Sequence, residues 1–181
     1  IALLRNRLRG TDGAAAVVVM SADRARALGV KAPVPILGFG QGNSSADVPL
    51  RQDLTETLAG VSARTAFAMA GLAPKDIDVA QIYDCFTITV AMTLEAYGFV
   101  PKGRLAALVK EGGFEVGGAL PLNTSGGLLS ETGMPGLQLV LEGVRQMRGS
   151  SSNQVPGAET CIVSNQGGIM HTHSSLILGR Q

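Results

Sequence analysis

The chain has 181 residues, 45% of them hydrophobic, which is enough apolar material for one compact domain with a buried core. Fifteen basic and fourteen acidic residues leave a formal net charge of +1, and no basic run is long enough to bind nucleic acid. The longest apolar stretches, residues 14–20 and 88–92, fall far short of the roughly 20 residues that a membrane span needs.

The first predicted elements come from residues 14–39. Residues 14–20 are small, β-branched and apolar throughout, which predicts a strand buried on both faces of a sheet. Ser21 is the predicted N-cap of a short helix over residues 22–28, and Gly29 ends it. Residues 33–39 are predicted to form a second strand.

Helical spacing of apolar residues then predicts a long helix over residues 50–70, which Gly71 ends. Residues 76–81 alternate between polar and apolar side chains, which predicts a strand. Residues 85–97 are predicted to form a buried helix. Residues 101–127 are interrupted by glycines, so no long element is expected there.

In the last third of the chain, apolar residues at helical spacing predict a helix over residues 137–147, which Gly149 ends. Strands over residues 160–164 and 174–178 follow, joined by the Gly167-Gly168 turn as an antiparallel hairpin. The resulting order of strands and helices predicts an α/β fold built in layers.

Cysteine usage and the N-terminus bear on the cellular setting. Only Cys85 and Cys161 are present, without a CxxC pair or a Cys/His spacing suited to zinc, so we expect no disulfide framework and no metal site. Residues 1–9 lack the apolar core of a signal peptide, and the chain does not begin with Met, so we expect an incomplete N-terminus. A reducing cytoplasm is the simplest setting.

Four segments occur in the order in which thiolases carry similar motifs. They are residues 11–19 (TDGAAAVVV), 82–87 (IYDCFT), 122–127 (LNTSGG) and 164–168 (SNQGG). Together they resemble the C-terminal domain of thiolases, in particular the sterol-carrier-protein-X and lipid-transfer-protein branch.

The resemblance implies a thiolase-like layered fold made of two similar halves, each a mixed sheet flanked by helices. Residues 1–181 then form the C-terminal domain, and the N-terminal domain is absent from this chain. The family implies coenzyme A as a thioester substrate, no covalently bound cofactor, a homo-oligomer, and in this branch a small OB-fold partner protein of the DUF35 type.

Several positions depart from the thiolase pattern. The family's nucleophilic Cys belongs to the missing half, its general-base His is replaced by Gly133 or Met134, and its second catalytic Cys is matched by Asn165. Tyr83 stands where the family has the His of an HDCF motif. This substitution resembles aldolases that cleave steroid side-chain thioesters, although the second Tyr of those enzymes has no match in this chain.

Four residues are candidates for acid/base chemistry. The phenol of Tyr83 can donate to a carbonyl or accept a hydroxyl proton, but a core tyrosine is the alternative. Glu131 lies in the loop that holds the family's base, where a desolvated carboxylate can transfer protons; a solvated surface Glu is the alternative. His171 and His173 alternate towards the last strand, so we expect them to share one face, with acid/base or structural roles.

The loops supply candidates for binding the thioester. Glycines allow close backbone approach and let N–H groups face the thioester oxygen, although turn geometry alone would also explain them. The predicted substrate-binding residues are Asn123, Gly126, Gly127, Gly133, Asn165, Gly167 and Gly168.

The leading hypothesis is the C-terminal part of a thiolase-like acyltransferase that forms or cleaves a carbon-carbon bond in a CoA thioester with a lipid or steroid acyl chain. One alternative is a retro-aldolase that acts on a β-hydroxyacyl-CoA through Tyr83. The other is a non-catalytic subunit that binds acyl-CoA or lipid. By itself the chain is expected to be inactive.

Overall fold

The computed structural model describes residues 13–44, 53–131, 136–168 and 170–181. It confirms the predicted α/β class: helices flank a four-stranded mixed sheet. In chain order the elements are α1 (Ala22–Ala27), β1 (Ile36–Asn43), α2 (Ala59–Ala70), a 3-10 turn (Pro74–Asp76), β2 (Val79–Ile82), α3 (Thr87–Ala96), α4 (Leu105–Lys110), α5 (Gly127–Ser130), α6 (Leu137–Arg148), β3 (Thr160–Gly167) and β4 (Thr172–Gly179).

The sheet has the strand order β1-β4-β3-β2. Strands β3 and β4 form the predicted antiparallel hairpin, and β1 adds to β4 in antiparallel fashion. Strand β2 runs parallel to β3, with Ile82 opposite Ser164. The carboxyl ends of β2 and β3 therefore meet at one edge of the sheet.

Helix α2 packs closely on β1 because every second residue of the strand is glycine. Gly38, Gly40 and Gly42 are buried against the helix, whereas Phe39 and Gln41 between them are exposed on the other face. A Cβ at Gly38 or Gly40 would overlap backbone oxygens of α2. The glycine row thus sets the distance between helix and strand.

Each face of the sheet has its own core. Helices α2 and α3 cover one face, where Ile162 and Ile177 pack. Helix α6 covers the other, where Cys161 and Val163 pack. We call these the α2 face and the α6 face. No helix in the described ranges is long and apolar enough to cross a bilayer.

The predicted strand over residues 14–20 is wrong. Residues 13–20 have no strand hydrogen bonds in the described structure, and Val18 and Val19 are 82% and 72% exposed. Apolar composition indicates a strand that needs burial, but a strand also needs a neighbour that hydrogen-bonds to it. The described part of the chain provides none.

Other boundaries move by a few residues. Helix α2 begins at Ala59, because Asp53 instead accepts hydrogen bonds from the backbone N–H and hydroxyl of Thr55 in a local turn. Residues 50–52, the predicted start of this helix, lie outside the described residues. Strand β1 begins at Ile36, after Pro33 and Pro35, which lack an N–H for the ladder.

Candidate functional site

The candidate site lies where β2 and β3 end on the α6 face. Successive strand residues alternate between the two faces of a sheet. Tyr83 therefore lies on the same face as Val79, and Asn165 lies on the same face as Cys161 and Val163. Tyr83 packs against the core under α6. The structure thus brings Tyr83 and Asn165, from two separate motifs, to one edge and one face.

Tyr83 is half-buried at this edge. Burial raises the pKa of its phenol, and the nearby Cys85 and Asp84 raise it further because negative charge beside the phenol disfavours phenolate. The phenol therefore keeps its proton at neutral pH. In this state it donates a hydrogen bond rather than taking a proton.

Asn123 fixes the strand that carries Tyr83. Its side-chain oxygen accepts from Ile82 N at 2.7 Å, and its side-chain nitrogen donates to Ile82 O at 2.9 Å. The backbone of Asn123 has φ of 49°, a conformation that Asn tolerates better than most residues. Asn123 therefore positions the end of β2, and direct contact with a substrate stays a prediction.

Asp84 joins this site, although the sequence analysis gave it no role. It is 6% exposed, and its carboxylate accepts from Leu128 N at 2.8 Å and Leu129 N at 3.4 Å in α5. Burial raises its pKa despite these two donors. A Cβ at Gly127, whose φ is 66°, would overlap the carboxylate. Gly127 thus leaves room for the Asp84 carboxylate to hold the start of α5.

Glu131 follows α5 on the α6 side. Its carboxylate lies 3.9 Å from the Arg145 guanidinium of α6, a long and partly exposed ion pair that contributes little stability. Gly133, the predicted binding residue in the next loop, lies outside the described residues.

Asn165 packs against the first turn of α6. Gly136, the N-cap of that helix, has φ of 80°, and a Cβ there would lie 2.5 Å from Asn165 Oδ1. Asn165 Nδ2 is 3.5 Å from Gly136 O, which is a weak hydrogen bond at best. The amide of Asn165 therefore keeps hydrogen-bonding capacity for a ligand.

Gly168 and His171 lie between the end of β3 and the start of β4. His171 is half-buried; its carbonyl accepts from Ser44 N at 2.9 Å, and its ring lies against Gly168. Gly168 has φ of 54° and Gly126 has φ of 102°, so turn geometry accounts for both. Gly167 is exposed, has no positive φ, and has open space around its Cα among the described residues. Nothing in the described structure requires glycine there.

His173 does not share a face with Tyr83. It is fully buried on the α2 face, with Nδ1 3.1 Å from Ser62 Oγ and its ring edge-to-face with Tyr97. Burial lowers its pKa to about 4, so it is neutral at physiological pH. Packing accounts for this setting, and it gives no support to an acid/base role.

The two cysteines differ in their surroundings. Cys161 is fully buried, and burial raises the pKa of its thiol. Cys85 Sγ accepts from Gln166 Nε2 at 2.9 Å, and Gln166 Oε1 accepts from Met170 N at 2.7 Å. Among the described residues, no group of three or more His, Cys, Asp or Glu side chains could hold a metal ion.

Comparison with known proteins relates this architecture to one family. The family model "Thiolase C-terminal domain-like" matches residues 40–180. The 17-hydroxy-3-oxo-4-pregnene-20-carboxyl-CoA lyase of Mycobacterium tuberculosis is 41% identical over 174 residues, which cover 93% of this chain and 44% of the relative. The acetyl-CoA acetyltransferase of Methanothermobacter thermautotrophicus is 37% identical over 175 residues, 94% of this chain and 45% of the relative.

Among solved structures, the Ltp2-ChsH2(DUF35) aldolase superposes with a TM-score of 0.77 and 34% identity, over 82% of this chain and 40% of that chain. In each of these comparisons the chain spans less than half of the other protein's length.

Proposed function

Because the chain belongs to the thiolase family, we propose that it forms the C-terminal half of an enzyme that breaks or makes a carbon-carbon bond in a CoA thioester. The observation that carries the proposal is the meeting of Tyr83 and Asn165 at the carboxyl ends of two parallel strands, over the first turn of α6. The names of the relatives, a CoA lyase, an acetyl-CoA acetyltransferase and an aldolase, all support this class of chemistry.

We favour an aldol-type reaction. In retro-aldol cleavage a base takes the proton of a β-hydroxyl group, and the O–H electron pair forms a carbonyl as the Cα–Cβ bond breaks. The bond's electron pair gives a thioester enolate, which then takes a proton at Cα. A ketone or aldehyde and a shorter acyl thioester leave. The reaction needs no nucleophile on the enzyme, only proton transfer and stabilisation of the enolate oxygen.

Tyr83 is suited to stabilising the enolate oxygen. A half-buried, protonated phenol donates a hydrogen bond to the thioester oxygen as negative charge develops on it. The amide of Asn165 at the same edge is a second donor. Glu131 and His171 are our candidates for taking the β-hydroxyl proton, since Glu131 lies on the α6 side and His171 borders the Gly167-Gly168 turn.

The acetyltransferase relative supports acyl transfer as a second candidate. That reaction needs an activated thiolate. Cys161 is fully buried and Cys85 Sγ accepts a hydrogen bond from Gln166, so we place the thiolate outside this chain. The same oxygen-binding groups would then stabilise the acyl intermediates.

The remaining features of the proposal follow from the family. The substrate is an acyl-CoA, with no covalently bound cofactor, and the acyl chain is a lipid or steroid. The partners are a second copy of the protein and, by analogy with the named aldolase complex, a DUF35 protein. The setting is the cytoplasm, which suits two free cysteines.

Tyr83→Phe in the full-length protein tests the proposal. We expect turnover of a β-hydroxyacyl-CoA to fall by about 10²- to 10³-fold, the usual cost of removing one hydrogen-bond donor to a developing oxyanion. The chain's other tyrosine supplies the control. Tyr97 is buried on the α2 face and hydrogen-bonds to Ser175, so Tyr97→Phe should cost about 1 kcal/mol of stability and leave turnover intact.

Equal turnover of the Tyr83→Phe variant and the parent would remove Tyr83 from the mechanism. Failure of the parent protein to act on any CoA thioester, by cleavage or by acyl transfer, would contradict the proposed function itself.

A further inference from the structure

A side chain of β3 holds the turn between β3 and β4. Met170 and His171 lie in this turn, and the backbone N–H of Met170 donates to Gln166 Oε1 at 2.7 Å. Gln166 Nε2 also donates to Cys85 Sγ at 2.9 Å. The amide can adopt only this orientation, because the N–H of Met170 is a donor and must face the carboxamide oxygen. One side chain thus bridges the β3–β4 turn and the segment that follows β2.

The backbone conformation of Met170 makes this bridge informative. Met170 has φ of 68°, in the left-handed region that residues with a side chain rarely adopt. Such a strained conformation persists only where the surroundings hold it, and it is frequent beside active sites. Two contacts hold it here: the Met170 side chain is 2% exposed in the core of the α2 face, and its N–H is bonded to Gln166.

Each anchor of the Gln166 carboxamide adjoins a residue of the candidate site. Cys85 lies two residues after Tyr83, and Met170 immediately precedes His171. The bridge therefore connects the segment that carries the phenol to the turn that carries the imidazole. No covalent neighbour does this, since Tyr83 and His171 are far apart in the sequence.

The backbone of His171 itself makes two further contacts in the described structure. Its carbonyl accepts from Ser44 N at 2.9 Å, and its N–H lies 3.4 Å from Gly168 O, which is a long hydrogen bond. Without the Gln166 carboxamide, the N-terminal side of His171 would be held mainly by this weak bond. Gln166 is thus the side chain that restrains the turn immediately before His171.

We propose that Gln166 is a positioning residue of the candidate site, whose carboxamide holds the turn that carries His171 against the segment that carries Tyr83. It fixes the His171 imidazole, one of our two candidates for taking the β-hydroxyl proton, relative to the phenol that donates to the thioester oxygen. A base acts only within hydrogen-bond reach of its proton, so a displaced turn slows the reaction. This inference rests on the proposed function, because Gln166 acts through two residues of the same site.

Three variants of the full-length protein test the bridge. Gln166→Met removes both hydrogen bonds and keeps the length of the side chain. Gln166→Glu keeps both contacts, because a carboxylate accepts from the N–H of Met170 and from the S–H of Cys85. Gln154→Met is the matched control, since Gln154 is also half-buried and hydrogen-bonded through both its oxygen and its nitrogen, but in the loop after α6.

Steady-state cleavage of β-hydroxyoctanoyl-CoA, followed as release of acetyl-CoA, gives kcat and KM for each variant. We expect Gln166→Met to lower kcat about 10- to 100-fold and to change KM less than about threefold, since the base is displaced while the acyl-CoA still binds. Gln166→Glu should keep kcat within about fivefold of the parent value. Gln154→Met should lower Tm as much as Gln166→Met does and leave kcat unchanged.

Hydrogen exchange at the Met170 amide checks the bridge independently of activity. Exchange should be about 3- to 10-fold faster in Gln166→Met than in the parent protein, which corresponds to the loss of one hydrogen bond, and unchanged in Gln166→Glu. If Gln166→Met does not fold, Gln166→Asn replaces it with the same expected results, because its amide is too short to reach both partners.

The outcomes separate this inference from the proposed function. Unchanged kcat in Gln166→Met, an equal loss of kcat in Gln154→Met, or a Gln166→Glu variant as slow as Gln166→Met would each overturn the inference alone. An exchange rate at Met170 that does not respond to Gln166→Met would overturn it as well. If the parent protein cleaves no β-hydroxyacyl-CoA, the aldol-type function fails and this inference fails with it.

Discussion

The two candidate histidines differ in what surrounds them, although only one residue separates them in the sequence. His171 lies half-buried in the turn that borders the α6-face edge, whereas His173 is sealed between β4 and α2. A hydrogen-bonded chain joins His173 through Ser62 and Ser175 to Tyr97 in that core. His173 thus belongs to a buried polar cluster that holds helices to the sheet.

This setting predicts acid sensitivity. The pKa of His173 is about 4 in the folded state and about 6.5 in an unfolded chain, because burial disfavours the charged ring. Its contribution to stability is therefore complete above about pH 6.5 and declines as pH falls towards 4, by about 3 kcal/mol in total. Urea unfolding at several pH values, compared between the parent protein and His173→Gln, should show their stability difference shrinking over this range. A difference that stays constant with pH would show that His173 does not titrate as its burial predicts.

Local sequence identified some site residues and missed others for a physical reason. The motifs around Tyr83 and Asn165 lie together at one edge of the sheet because each follows a strand with a clear local pattern. Asp84 escaped notice because its role arises from contacts with a distant segment, the start of α5.

At the scale of elements, the contact of α2 with β1 depends on the glycine row. At Gly40 a methyl group would overlap the Ser62 carbonyl and press on Thr65, so the helix would have to move away from the strand. We predict that Gly40→Ala lowers the free energy of unfolding by about 3 kcal/mol or more. Gly167→Ala in β3, where the described structure leaves open space, should change it by less than about 0.5 kcal/mol. Chemical denaturation of both variants measures this, and equal effects would show that α2 adapts without cost.

Sequence predicted elements well where local signals decide, and poorly where distant pairing decides. Ser21 does cap α1, and Gly71 and Gly149 end α2 and α6 in the left-handed conformation. The hairpin of β3 and β4 also follows from local patterning. The apolar run over residues 14–20 was misread because a strand forms only beside a partner strand, and no local pattern reports whether that partner exists.

At the scale of the whole molecule, several large apolar side chains are exposed on the described surface. Val18 and Val19 lie in the extended segment before α1, and Phe39 of β1 is 59% exposed on the α6 face, beyond the cover of α6. Such surfaces mark interaction sites. They accord with our proposal that the chain forms half of a larger enzyme, since it spans less than half the length of the relatives compared.

The α/β class and the family resemblance were both correct from the sequence, because glycine-rich motifs in a fixed order are specific. The separation of the two sheet faces was not predictable, because it depends on the parallel pairing of β2 with β3. That pairing brings together residues about 80 positions apart at the α6-face edge, whereas His173 lies on the α2 face.

The most direct test of the account is a crystal structure of the full-length protein with butyryl-CoA bound. We predict that the thioester carbonyl lies at the carboxyl ends of β2 and β3 on the α6 face, within hydrogen-bond distance, about 2.6–3.2 Å, of Tyr83 or Asn165. An acyl group bound on the α2 face, or away from this edge of the sheet, would contradict it.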